Sequence, residues 1–166
     1  MKPEIYNKGI IQKYNPSAVI FDLKECKTVL QCLNSSSPAL SILRKEEGED
    51  KVLALLEIWI LDINEFFNVN NKMSPAQIKQ TALMIIQDFY YFKIADLNLV
   101  FLNAKKGVFG NLYGSLDGSK IYQWFNSHDL DRSAECYLDK LREHDRELAS
   151  ERNAKSLIKT KIGKTE

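Results

Sequence analysis

A chain of 166 residues with a formal net charge of +1 is long enough for one domain, and its charge excludes a strongly basic nucleic-acid coat. A hydrophobic fraction of 45% allows a sizeable core. Cys26, Cys32 and Cys136 form no Cys-x-x-Cys pair and have only His128 and His144 to join them, which predicts reduced thiols in a cytoplasmic protein with no metal and no other cofactor.

Residues 1–8 lack the apolar core of a signal peptide. The longest apolar run, Val52 to Ile63, is interrupted by Glu57 and Asp62, so no membrane partner is expected. Residues 3–14 carry Ile5, Ile10 and Ile11 at a spacing that predicts a short helix ended by Asn15-Pro16. Ala18-Val-Ile-Phe21 has no evident partner strand and reads as a packed lead-in. Asp22, with Glu25 three residues on, predicts a helix start, placing Cys26, Val29, Leu30 and Leu33 on one face. Asn34-Ser-Ser-Ser-Pro38 breaks the chain before a short helix at 39–44.

A charged hinge at 45–50 precedes a helix over 51–67 whose stripe is Val52, Leu55, Leu56, Trp59, Ile63 and Phe66. Ser74, Pro75 and Gln77 predict the next start, with Ile78, Ala82, Ile85, Ile86, Phe89 and Tyr90 buried. These two helices are expected at the centre. Residues 95–105 form a further helix with Leu97, Val100, Phe101 and Ala104 inside. Asp117-Gly-Ser119 starts another, carrying Ile121, Trp124 and Phe125. From about Asp131 a long polar helix has a thin seam of Leu138, Leu141 and Leu148. Residues 129–151 hold eight acidic and four basic residues, whereas 152–165 hold five basic residues and no acidic one. The expected architecture is a single all-α domain, a bundle of about six helices over 1–150, followed by a basic, flexible tail over 151–166.

Lys105 and Lys106, near Phe109, Tyr113 and Trp124, have the chemistry to touch phosphates and stack on bases. The same lysines equally suit the negative pole of a helix end, with the rings in the core. Gly107, Gly110, Gly114 and Gly118 match no phosphate-loop pattern and read as turn glycines. Cys136 with His144 or Glu143 lacks the four ligands of a zinc site and the orienting third group of a nucleophile pair. Glu57, Asp62, Glu65 and Asp88 lack the Glu-x-x-His motifs of a diiron bundle. No catalytic residue is assigned.

Leu97-x-x-x-Phe101, Lys106-Gly-Val-Phe-Gly110 and Leu116-Asp-Gly118, following the aromatic Phe89–Phe92 helix end, carry a resemblance over about residues 74–130. The segment resembles a family of uncharacterised proteins encoded by Bacteroides-group bacteria and their phages and mobile elements. The resemblance supplies no activity and no catalytic residue. By association it implies a part in element replication or DNA transactions.

The leading expectation is a non-enzymatic, DNA-associated accessory or adaptor protein. Its nucleic-acid contacts would come from Lys105, Lys106, Lys120, Lys155, Lys159 and Lys161. The partner would be DNA or a DNA-associated protein. The alternative is a protein–protein module that docks or forms a homo-oligomer through the 131–150 helix; a small enzyme ranks third. If Lys105 and Lys106 both contact phosphate, changing both to Ala flattens the salt dependence of DNA binding by roughly two units, at about −0.7 to −0.9 per contact. A salt titration with single- and double-stranded DNA measures it, and an unchanged slope removes the pair from the interface.

Overall fold

The computed structural model describes residues 9–162, with side chains through residue 158. Among the described residues the chain is all-α and single-domain: eight helices and no sheet. They are α1 (Ile10–Tyr14), α2 (Pro16–Asp22), α3 (Val29–Asn34), α4 (Leu40–Glu47), α5 (Glu49–Phe66), α6 (Pro75–Asp88), α7 (Ile94–Lys105) and α8 (Gly118–Ile162).

Asn15 explains one departure from expectation. It does stop α1, its Nδ2 donating to the Ile11 and Gln12 carbonyls. It also starts α2, its Oδ1 accepting from Ala18 N at 3.0 Å with Pro16 at the first helical position. The 18–21 run is therefore helical, and it buries Val19. The start expected at Asp22 and Glu25 lies further on. Asp22 ends α2, and Thr28 caps α3. Thr28 Oγ1 accepts from Gln31 N, and Gln31 Oε1 accepts from the Thr28 and Lys27 amides, a reciprocal box that Asp22 and Glu25 do not form. As a result Cys32 is the residue α3 buries, beside Ala95 and Leu99 of α7.

The Ser74 signal holds. Its Oγ accepts from Gln77 N, Gln77 Oε1 accepts from Ser74 N, and Pro75 begins α6. The α5 stripe is buried except for Phe66, which is exposed at the helix end. In α6 the stripe reaches Phe89, while Tyr90 faces solvent. Asn64 ties the α5–α6 link by accepting from Met73 N and donating to Met73 O.

The centre is α5 and α7 rather than α5 and α6. Every residue from Ile94 to Phe101 is buried, polar Asp96 and Asn98 included. Such a helix is surrounded on all sides, where α6 turns one face to water. Trp59 of α5 stacks on Phe101 of α7 with centroids 5.6 Å apart, and its indole N–H donates to Tyr14 O. Phe89, Phe92 and Phe125 form the adjoining aromatic cluster.

The two helices expected after residue 117 are one. Asp117 Oδ1 accepts from Lys120 N, and the helix continues for 45 residues, about 67 Å at 1.5 Å per residue. It crosses residue 150 without a break. Its first turns pack on α3, α6 and α7. At its start Gly118 lies against Thr81 of α6, and a Cβ built there collides with Thr81 Oγ1. That hydroxyl is held by its bond to Gln77 O at 2.8 Å. Gly118→Ala therefore destabilises the fold by about 1–3 kcal/mol, the range for overpacking a tight contact. Thr81→Ala in the same chain recovers part of the loss. Chemical denaturation of wild type, Gly118→Ala, Thr81→Ala and the double variant checks the coupling.

Candidate functional site

Lys105, at the last position of α7, is committed internally. Its Nζ lies 2.6 Å from Asp62 Oδ2 and 5.0 Å from the centre of the Phe66 ring. Lys106 is the C-cap; its amide donates to Leu102 O and its side chain is exposed. The link to α8 passes through Gly107, Gly110 and Gly114, all at positive φ between 75° and 90°, where a side chain is strained. Asn71 holds the link from the α5–α6 side, donating to Gly114 O and accepting from Leu116 N. Phe109 stacks on Trp124 with centroids 5.9 Å apart, whereas Tyr113 is 85% exposed. The link is thus packed at one ring and open at the other.

Two depressions flank it. One, about 560 Å³, is lined by Lys105, Lys106, Asn68, Asn111 and Tyr113. The other, about 320 Å³, holds Lys120 with Phe109, Gln123 and Trp124. Gly110, Asn111 and Leu112 line both, so the link runs between Lys106 and Lys120. Lys155 is exposed on α8, about 50 Å along the helix from Lys120. The side chains of Lys159 and Lys161 lie outside the described residues. The three described α7–α8 lysines share one end of the body, and Lys155 stands far from them.

The carboxylates singled out in the sequence do not meet in one set. Asp62 pairs with Lys105, Glu65 with Lys72 at 3.1 Å, and Asp88 accepts from the Tyr122 hydroxyl. Cys136 is half-buried and His144 exposed on the same helix. Among the described residues no cluster of three or more His, Cys, Asp or Glu groups is placed to hold a metal.

The polar centre that the sequence reading missed lies at the start of α7. Asp96 is fully buried, with Oδ1 2.8 Å from His128 Nε2 and Oδ2 accepting from Lys93 N at 2.8 Å. An ionised carboxylate only accepts, so Nε2 of His128 carries the hydrogen. Arg132, one turn further along α8, brings its Nε to 3.5 Å from Asp96 Oδ2, a charge contact without hydrogen-bond geometry. Its guanidinium lies over the Tyr91 and Phe92 rings at 5.3 and 5.7 Å. Lys93 reaches the other way: Nζ donates to the Leu33 and Ser35 carbonyls at the end of α3. The i, i+4 spacing of His128 and Arg132, with an aspartate opening a helix, is the signal that was available in the sequence.

His128 and Asp96 are sealed from solvent. Nearby Cys32 donates to Ala95 O at 3.4 Å, and burial, with Asp96 adding to it, pushes its thiol from 9.0 up to about 12. At neutral pH it is a thiol, and thiolate is the nucleophilic form. Burial and the hydrogen bond to Asp129 likewise push the Tyr91 phenol up to about 12.

Asp96→Ala leaves Lys93 N, His128 Nε2 and the Arg132 charge facing a vacated carboxylate site. Breaking a buried pair from one side costs about 3–5 kcal/mol, and urea denaturation of the variant against wild type reads this loss. Comparison with protein-family models finds no match, and comparisons with curated proteins and with solved structures find none either.

Proposed function

We propose that the protein is a non-enzymatic interaction module whose compact body serves as the mount for a projecting docking helix. One observation carries this reading. Beyond Cys136 every described residue of α8, from Tyr137 to Ile158, is exposed. Roughly 33 Å of helix thus stands clear of the core that would normally stabilise it. That length carries Tyr137, Leu138, Leu141, Leu148, Leu157 and Ile158, each exposed by more than a third. Large apolar side chains repeated along a helix free of its own body are the surface a partner covers.

A second reading, a single-stranded nucleic-acid contact, is favoured by the exposed Tyr113 ring beside Lys106 in the larger depression. It ranks behind the first because Lys105 is already neutralised by Asp62. One free lysine and one ring supply little of the phosphate attraction on which such binding rests. No helix among the described residues is long and apolar enough to cross a membrane.

Replacing Leu141 and Leu148 by Glu tests the docking helix. Both are exposed and stand apart from the core clusters, so the melting temperature of the body stays within about 0.5 kcal/mol equivalent of wild type. Cross-linking in cells that express the tagged protein then yields a defined higher-mass species for wild type and loses it for the double variant. Persistence of that species in the variant, or its absence from wild type, overturns the reading.

A further inference from the structure

We infer that the partner of the projecting part of α8 is the same segment of a second copy, paired antiparallel; the inference rests on the docking-helix reading. From Leu130 onward α8 follows a seven-residue repeat that continues through its projecting residues. One seam position is held by Ala134, Leu141, Leu148 and Lys155, the other by Leu130, Tyr137, His144, Glu151 and Ile158. The helix is continuous through all of them, so the repeat forms one stripe. Its members Leu130, Tyr137, Leu141, Leu148 and Ile158 are all exposed.

The polar members of the stripe choose the orientation. In an antiparallel pair the two seam positions of one helix face each other's counterparts. Setting Leu148 against Ile158 of the second copy sets Glu151 against that copy's Lys155, and symmetry repeats both layers. The two Leu148–Ile158 layers are then apolar and the two Glu151–Lys155 layers between them are opposite pairs, while Leu130, Tyr137 and Leu141 fall beyond Ile162 of the second copy, outside the overlap. A parallel pair instead stacks Glu151 on Glu151 and Lys155 on Lys155 at the most desolvated positions. Flanking charges do not reverse this choice, since Glu147 beside Arg152 would favour the parallel form only at the rim, where ion pairs contribute little.

The charge segregation of α8 points the same way. Asp131, Glu135, Asp139, Glu143, Glu147 and Glu151 follow one another at i, i+4, a row of like charges that weakens a lone helix. Arg142 answers Glu135 at 3.8 Å within the helix. Four basic residues of α8, Arg152, Lys155, Lys159 and Lys161, follow at the other end. Antiparallel pairing in this register lays the basic end of each copy along the last part of the other's acidic row, at Glu147 and Glu151. The same register leaves the bodies apart, because Cys136, the last half-buried residue of α8, falls beyond Ile162 of the second copy.

Sedimentation equilibrium of the purified full chain, alone and as charge-swapped variants, tests this. Wild type is expected as a dimer. Glu151→Lys and Lys155→Glu each place like charges in both central layers and weaken the dimer at least about tenfold. The doubly swapped chain recovers wild-type affinity, and mixing the two single variants gives a heterodimer tighter than either alone. A dimer unaffected by the single swaps, or weakened equally by the double swap, overturns the antiparallel register. A monomer at every soluble concentration overturns self-pairing altogether. The docking-helix reading is judged separately: a cross-linked species in cells that still depends on Leu141 and Leu148 then belongs to a different protein, and its loss along with the dimer removes both.

Discussion

The carboxylate of Asp96 is the constraint around which the rest of the fold is arranged. A fully buried negative charge is tolerated only when its oxygens are answered, and here the answers come from three places. The Lys93 amide closes the first turn of α7, His128 comes from α8, and Arg132 arrives from one turn further along α8. Each partner fixes a rotation. His128 and Arg132 set which face of α8 meets the body, and the Lys93 amide sets where α7 begins. An apolar contact would tolerate sliding; a directional set of this kind does not.

The segment leading into Asp96 extends that anchoring outward. Phe92 O accepts from Leu40 N and Tyr90 O from Ser41 N, which joins the α6–α7 link to the start of α4. Ile94 N donates to Pro38 O and Ala95 N to the Ser37 hydroxyl. Lys93 closes the end of α3. The backbone groups left open at three helix ends, those of α3, α4 and α7, are thus satisfied within a few residues of one another. The aromatic rings of the same segment bury the bonds and give Arg132 its two faces. Polar specification and apolar stabilisation act at one place.

The exposed part of α8, by contrast, begins where the body stops. The half of α8 that carries His128 and Arg132 is packed into the body, and the described side chains from Tyr137 to Ile158 are exposed. A rigid anchor on one half holds the other half in a defined direction, which lowers the orientational cost of docking. The lysines of the α7–α8 link follow the opposite logic. Lys105 is consumed by Asp62, and Lys120 sits at a helix start whose amide is held by Asp117. Of these, Lys105 has its charge engaged within the body, while Lys120 contributes its backbone amide to the helix start.

What the sequence determined by itself was local. Apolar residues at helical spacing identified α5, α6 and α7, and Ser74, Pro75 and Gln77 placed the start of α6, because caps and periodicity act within a few residues. The same rules applied at Thr28 and Gln31 place α3, where the choice of Asp22 instead displaced the expected start. The thin leucine seam of residues 138–148 was likewise visible as a pattern. Only the tertiary structure decided which polar residues lie inside. Asp96 and His128 are 32 residues apart, and Lys105 and Asp62 are 43 apart. Nothing in local spacing separates a carboxylate that faces water from one that faces an imidazole. That distinction depends on desolvation, which exists only once α3, α6, α7 and α8 have closed around the site, and the same closure leaves the far half of α8 outside.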